Sequence, residues 1–146
     1  MVVGDFNDQP HDRSVVGHLL ASHELDRVVG ETNDIDNFSA QTATYRAKEA
    51  FAYNPMWQFL PTEQSGTYFI DSTPDERFPN RYQVLDQIVV TRGLLSNQGL
   101  RLRLDSVAIC RDRKVATPAG PPRKFDIKTR RGTSDHLPVT TVLDYD

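Results

Sequence analysis

The sequence predicts a strand-rich α+β domain on three observations. Apolar runs of strand length recur along it, at Met1-Val2-Val3, Leu85 to Thr91 and Val139 to Leu143, each close to an acid. Stretches with helical spacing are short, from Ser14 through Leu20 and from Asn54 through Leu60. The 146 residues, 38% of them hydrophobic, fit one domain able to bury a core, and no run approaches membrane-spanning length.

Taken in order, the first strand ends at Gly4, and Asp5 and Asn7 follow with a period-two separation that faces them the same way. A polar loop from Asp8 to Arg13 leads to Ser14, which caps a short helix whose apolar side is Val15, Val16, Leu19 and Leu20. His11 and His18 have no partner at metal-site spacing and read as surface residues, and Asp8 reads as a loop acid. Glu31 to Ser39 is rich in turn formers but lacks the glycine and terminal Glu of a calcium loop, so it reads as a solvated loop. Asn54-Pro55 is a helix start, with Met56, Phe59 and Leu60 on its apolar side. Trp57 then points elsewhere, either as packing at the core edge or as a wall of a substrate cleft.

Gly66 to Ile70 reads as a strand, and Asp71 to Arg81, with Pro74 and Pro79, as a loop. Arg81 is either a surface arginine or a contact for a substrate phosphate. Leu85 to Thr91 is the next strand, Gly93 to Ser96 a helical turn, and Leu104 to Cys110 a further strand. Cys110, the single cysteine, excludes an internal disulfide and reads as a small buried hydrophobe.

The formal charge of -3 argues against a protein that coats nucleic acid uniformly, but the charge is uneven. Residues 111–131 hold eight basic side chains against Asp112 and Asp126, a net of +6, in a stretch that Pro118, Gly120, Pro121 and Pro122 make a loop. Such a cluster supports binding of phosphate-rich partners through counterion release. With only Phe125 among the cations, it lacks aromatics at stacking intervals. No signal peptide is visible, and the compartment is left open.

The chemistry concentrates near the C-terminus, where Gly132-Thr133-Ser134-Asp135-His136-Leu137-Pro138 sets a carboxylate beside an imidazole at the mouth of the last strand. At such a junction both can reach one cleft, the carboxylate for a divalent metal and the imidazole for proton transfer. Alone, the pair also reads as a turn acid and a surface histidine.

Gly4-Asp5-Phe6-Asn7, Leu85-Asp86-Gln87-Ile88 and Ser134-Asp135-His136-Leu137-Pro138, in that order, resemble the C-terminal half of the endonuclease/exonuclease/phosphatase superfamily. Tyr53 to Trp57 followed by Gly66-Thr67-Tyr68 is similar to its uncharacterised bacterial members. The resemblance implies half of a four-layer αββα sandwich, mainly one mixed or antiparallel sheet with flanking helices. It implies a Mg²⁺-dependent phosphoesterase, with Mn²⁺ as the substitute ion, acting on a phosphate ester; nucleic acid is among the family's substrates. Asp135, with Asp5, would bind the metal. His136 would act at the phosphate, oriented by Asp86. Asp5 would orient or deprotonate the attacking water, and Asn7 would hold that water or a phosphoryl oxygen.

The family's N-terminal half supplies a further Asn and a metal-binding Glu, and nothing before Met1 provides them. Residues 1–146 are therefore expected to be the C-terminal part of a longer domain, with weak metal retention, little turnover, and an apolar sheet face that seeks the other half or a second copy. The alternative is a non-catalytic phosphate- or nucleic-acid-binding module that uses the basic loop 111–131.

Overall fold

The structure, a computed structural model, describes residues 1–29, 51–60, 65–71, 81–97 and 99–145. The loop expected over Glu31 to Ser39, and most of that from Asp71 to Arg81, lie outside the described residues. In chain order the strands are β1 (Val2–Asp5), β2 (Ala21–Ser22), β3 (Ala52–Tyr53), β4 (Tyr68–Phe69), β5 (Tyr82–Gln83), β6 (Asp86–Thr91), β7 (Leu100–Ile109) and β8 (Val139–Tyr145). One four-stranded mixed sheet runs β1-β6-β3-β2, and β4-β5 and β7-β8 form separate two-stranded pairs. The architecture is thus mixed α/β and mostly strand. The flanking helices reduce to short segments at Ser14–His18, Leu25–Val29, Pro55–Phe59 and Arg92–Leu95.

β6 is the centre of this arrangement, and its residues explain why. Gln87, Ile88, Val89 and Val90 are all buried, the pattern of a strand covered on both faces. Successive side chains of a strand point to opposite faces. Ile88 and Val90 accordingly pack with Met56, Val84, Leu102 and Val107 on one side. Val89 packs with Val15, Ala21 and Ala52 on the other. The first cluster brings in the β7-β8 pair, the second the turn after β1.

Local departures from expectation have local causes. The helix expected from Ser14 is one wide turn, closed by the Leu19 N–H donating to the Ser14 carbonyl at 2.9 Å. Two adjacent valines and Gly17 are poor material for a longer helix. Ser14 lies inside the turn, not at its cap, and its hydroxyl donates to Asp8 Oδ2 at 2.5 Å. At Pro55–Phe59 the expected start holds: the Asn54 side chain accepts the Met56 N–H at 2.9 Å, although the segment is a 3₁₀ turn. β7 begins four residues earlier than Leu104 because Leu100-Arg101-Leu102-Arg103 also alternates, and it bends through a register shift between Arg103 and Ala108. Cys110 is a free thiol that is only half-buried.

Candidate functional site

Antiparallel register builds the first half of the site. β1 and β6 pair so that Val2 faces Val89, Val3 faces Ile88 and, at the end, Asp5 faces Asp86. Like charges directly opposite in a sheet repel. The pair is tolerable where a cation or a proton donor sits between or beside the carboxylates.

The second half is His136. Its Nδ1 lies 2.7 Å from Asp86 Oδ2, with the two side chains only 20% and 15% exposed. A carboxylate accepts and does not donate, so Nδ1 carries the hydrogen and Nε2 is left for other work. One oxygen or nitrogen of each of Asp5, Asp86 and His136 lies within 4.8 Å of the others. Among the described residues, Asp5 Oδ2 and Asp86 Oδ1 accept no hydrogen bond; Asp5 Oδ1 accepts the Asn7 backbone N–H at 2.8 Å. Two hard oxygen donors with an adjacent imidazole suit Mg²⁺ or Mn²⁺, which take one or two carboxylates and keep several waters.

A buried threonine holds the halves together. Thr67, fully buried, accepts the Leu85 and Asp86 N–H groups on its hydroxyl at 3.1 Å each, and the Leu137 N–H on its carbonyl at 2.6 Å. Its own N–H donates to the Gln83 carbonyl at 2.9 Å. Tyr68 then forms a bridge with His136 and sets its ring 5.1 Å from the imidazole. Gly66 lets this approach occur: a Cβ there would stand 2.7 Å from Tyr82 Cβ and 2.8 Å from the Gln83 carbonyl oxygen.

A second buried network supports the loop after Asp5. The Gln87 amide nitrogen donates to the Asp8 carbonyl at 3.0 Å and the Val84 carbonyl at 2.7 Å, and its oxygen accepts from Asn54 Nδ2 at 3.0 Å. Gln87 and Asn54 are fully buried, and all these groups are thereby satisfied.

The structure brings together Asp5, Asp86 and His136 but not every residue singled out from sequence. Asp135 is exposed and stands outside the three-residue set. Asn7 is exposed, in the left-handed region at φ 54°, and it is its backbone that meets Asp5. Arg81 braces β4 and β5: Nε donates to the Ile70 carbonyl at 3.0 Å, and the guanidinium carbon lies 4.3 Å from the Phe69 ring centre.

Trp57 also lies outside the set. It packs 4.6 Å from the His23 ring and 6.3 Å from that of His11, and with Tyr53 and Leu104 it lines a cavity of about 410 Å³. Burial raises the Tyr53 phenol above its ordinary value there.

Thr67 and Gln87 were missed as site-building residues. For Gln87 a signal existed: an amide inside an otherwise apolar strand must be buried with partners. Comparison with family models, with curated proteins and with solved structures finds no match.

Proposed function

We propose that the chain is the C-terminal part of a Mg²⁺- or Mn²⁺-dependent phosphoesterase of the endonuclease/exonuclease/phosphatase type, its sheet one of two in an αββα sandwich. The observation that carries the reading is the convergence of Asp5, Asp86 and His136 from three remote stretches, with His136 Nδ1 fixed on Asp86 at 2.7 Å. Val2 and Val3, both exposed and on opposite faces of β1, leave apolar surface of which a second sheet packed on one face would cover part.

The residues divide the work by their chemistry. Asp86 fixes the imidazole's orientation and tautomer, which leaves Nε2 as the atom that gives or takes a proton at the phosphate. Asp5 holds the attacking water or the cation, and the turn made by Asn7 keeps one of its oxygens committed and the other open. A bound Mg²⁺ supplies charge for the phosphoryl oxygens and acidifies water. Asp135, exposed and outside the three-residue set, is left as a further candidate ligand.

Two measurements test this. Mn²⁺ titration followed by electron paramagnetic resonance should show binding that Asp86→Asn or Asp5→Asn weakens by about tenfold, the loss of one of a few oxygen ligands. In the completed domain, His136→Ala should lower Mg²⁺-dependent hydrolysis of bis(p-nitrophenyl) phosphate by about a hundredfold or more. Unchanged Mn²⁺ affinity in both carboxylate variants, or full activity without His136, overturns the reading.

A further inference from the structure

The basic stretch after β7 is an ordered projection with a defined tip. The Arg123 N–H donates to the Val115 carbonyl at 2.8 Å and the Thr133 N–H to the Arg123 carbonyl at 2.7 Å. Within this frame the Asp126 N–H meets the Arg131 carbonyl at 2.8 Å, closing a small turn. Asp126 Oδ1 accepts the Lys128 N–H at 2.7 Å and the Thr129 N–H at 3.3 Å. Gly132, at φ 90°, completes the return: a Cβ there would fall 2.0 Å from the Lys124 carbonyl oxygen.

What this turn presents is unusual for a solvated loop. Ile127 is 81% exposed and Phe125 55% exposed, in a segment whose backbone is held in place. Lys128, Arg130 and Arg131 are exposed beside them, and among the described residues no carboxylate lies within ion-pair distance of any of the three. By contrast, Arg111 and Arg123 bond backbone carbonyls, and Lys124 pairs with Asp71 at 2.6 Å.

We propose that residues 123–131 dock the protein on an anionic phospholipid surface, Ile127 and Phe125 entering the headgroup boundary and Lys128, Arg130 and Arg131 meeting the lipid phosphates. The cations alone would serve any polyanion. The aliphatic side chain decides between partners. A duplex buries an isoleucine only by wedging it between base steps at the cost of unstacking them, and a single strand needs stacking rings, of which the tip has one. A bilayer rewards both the apolar pair and the flanking charges.

At its base the loop adjoins the three-residue site. Lys124 Nζ lies 5.6 Å from the Tyr68 ring centre, and Tyr68 lies against His136. That a docked surface presents its phosphodiesters to the site rests on the phosphoesterase reading; the docking does not.

The test is co-sedimentation of the chain with vesicles of phosphatidylcholine, with and without phosphatidylserine, alongside binding to single-stranded and duplex DNA. Sedimentation with the anionic vesicles is expected, falling as salt is raised. Ile127→Ser with Phe125→Ser should lower the partition by about tenfold, as removal of buried apolar groups from the boundary would. Arg130→Glu with Arg131→Glu should abolish it. All four positions are exposed, so circular dichroism should be unchanged. No sedimentation with anionic vesicles, or equal sedimentation of the Ile127/Phe125 variant, overturns the proposal; DNA binding untouched by that variant, without vesicle binding, would make the loop a nucleic-acid surface instead. None of these readouts requires turnover, so failure of docking and failure of catalysis remain distinguishable.

Discussion

Thr67 is the smallest unit on which the site depends. Its hydroxyl is the acceptor for two backbone N–H groups at the start of β6, and its carbonyl fixes the residue after His136. Thr67→Val keeps the shape and removes the acceptor for the Leu85 and Asp86 amides, at a cost of at most about 1–3 kcal/mol each because both bonds are only part-buried. Urea denaturation should show that loss, Thr67→Ser should recover most of it, and Mn²⁺ affinity should fall with it because Asp86 is no longer held. A Thr67→Val protein as stable as the wild type would remove the threonine from this role. Nothing in the local sequence distinguishes Thr67 from an ordinary strand threonine. Its importance arises from what the fold brings to it from residues 85, 86 and 137.

At the scale of elements, the turn from Asp126 to Arg131 has a pH dependence whose sign follows from its hydrogen bonds. The N–H groups of Lys128 and Thr129 hold the Asp126 carboxyl below its ordinary value of 3.8. A carboxylate with a depressed value in the folded turn contributes stability that is present above the ordinary value and lost as pH falls through the folded one. Amide exchange at Lys128 and Thr129 should therefore quicken below pH 3.8 relative to other loop amides, and Asp126→Ala should show the fast exchange at every pH. Uniform exchange across the titration would contradict the assignment.

The legibility of elements in the sequence followed the same divide between local and remote causes. β6, β8 and the Pro55 turn were readable because an apolar run, an alternation and an Asn-Pro start are written in consecutive residues. β2 and β3 were not: each is two residues long, and each exists because its neighbour supplies hydrogen bonds. For the site, an acid or imidazole at each strand mouth pointed to Asp5, Asp86 and His136. The side-chain roles of Arg81 and Trp57 depended on what lay across from them, and Arg81 has the Phe69 ring and the Ile70 carbonyl as partners.

For the whole molecule, the sheet ends at β2 on one side and at β1 on the other, and among the described residues β1 pairs with β6 alone. Val2 and Val3 are 53% and 48% exposed there, and the one charge on this edge comes only at its end, at Asp5. Sedimentation velocity should reveal concentration-dependent association of the chain, and Val3→Lys, a charge within that edge, should suppress it. A wild-type chain that stays monomeric across the accessible range would count against the β1 edge as a site of association. The pairing of β1 with β6 has a further consequence during biosynthesis. Asp5 and Asp86 are separated by about eighty residues, so at ordinary rates of synthesis the first strand waits on the order of ten seconds for its partner to emerge. Through that interval the edge of β1 that β6 will cover stands bare, which makes the nascent chain, more than the finished one, the form that needs a chaperone.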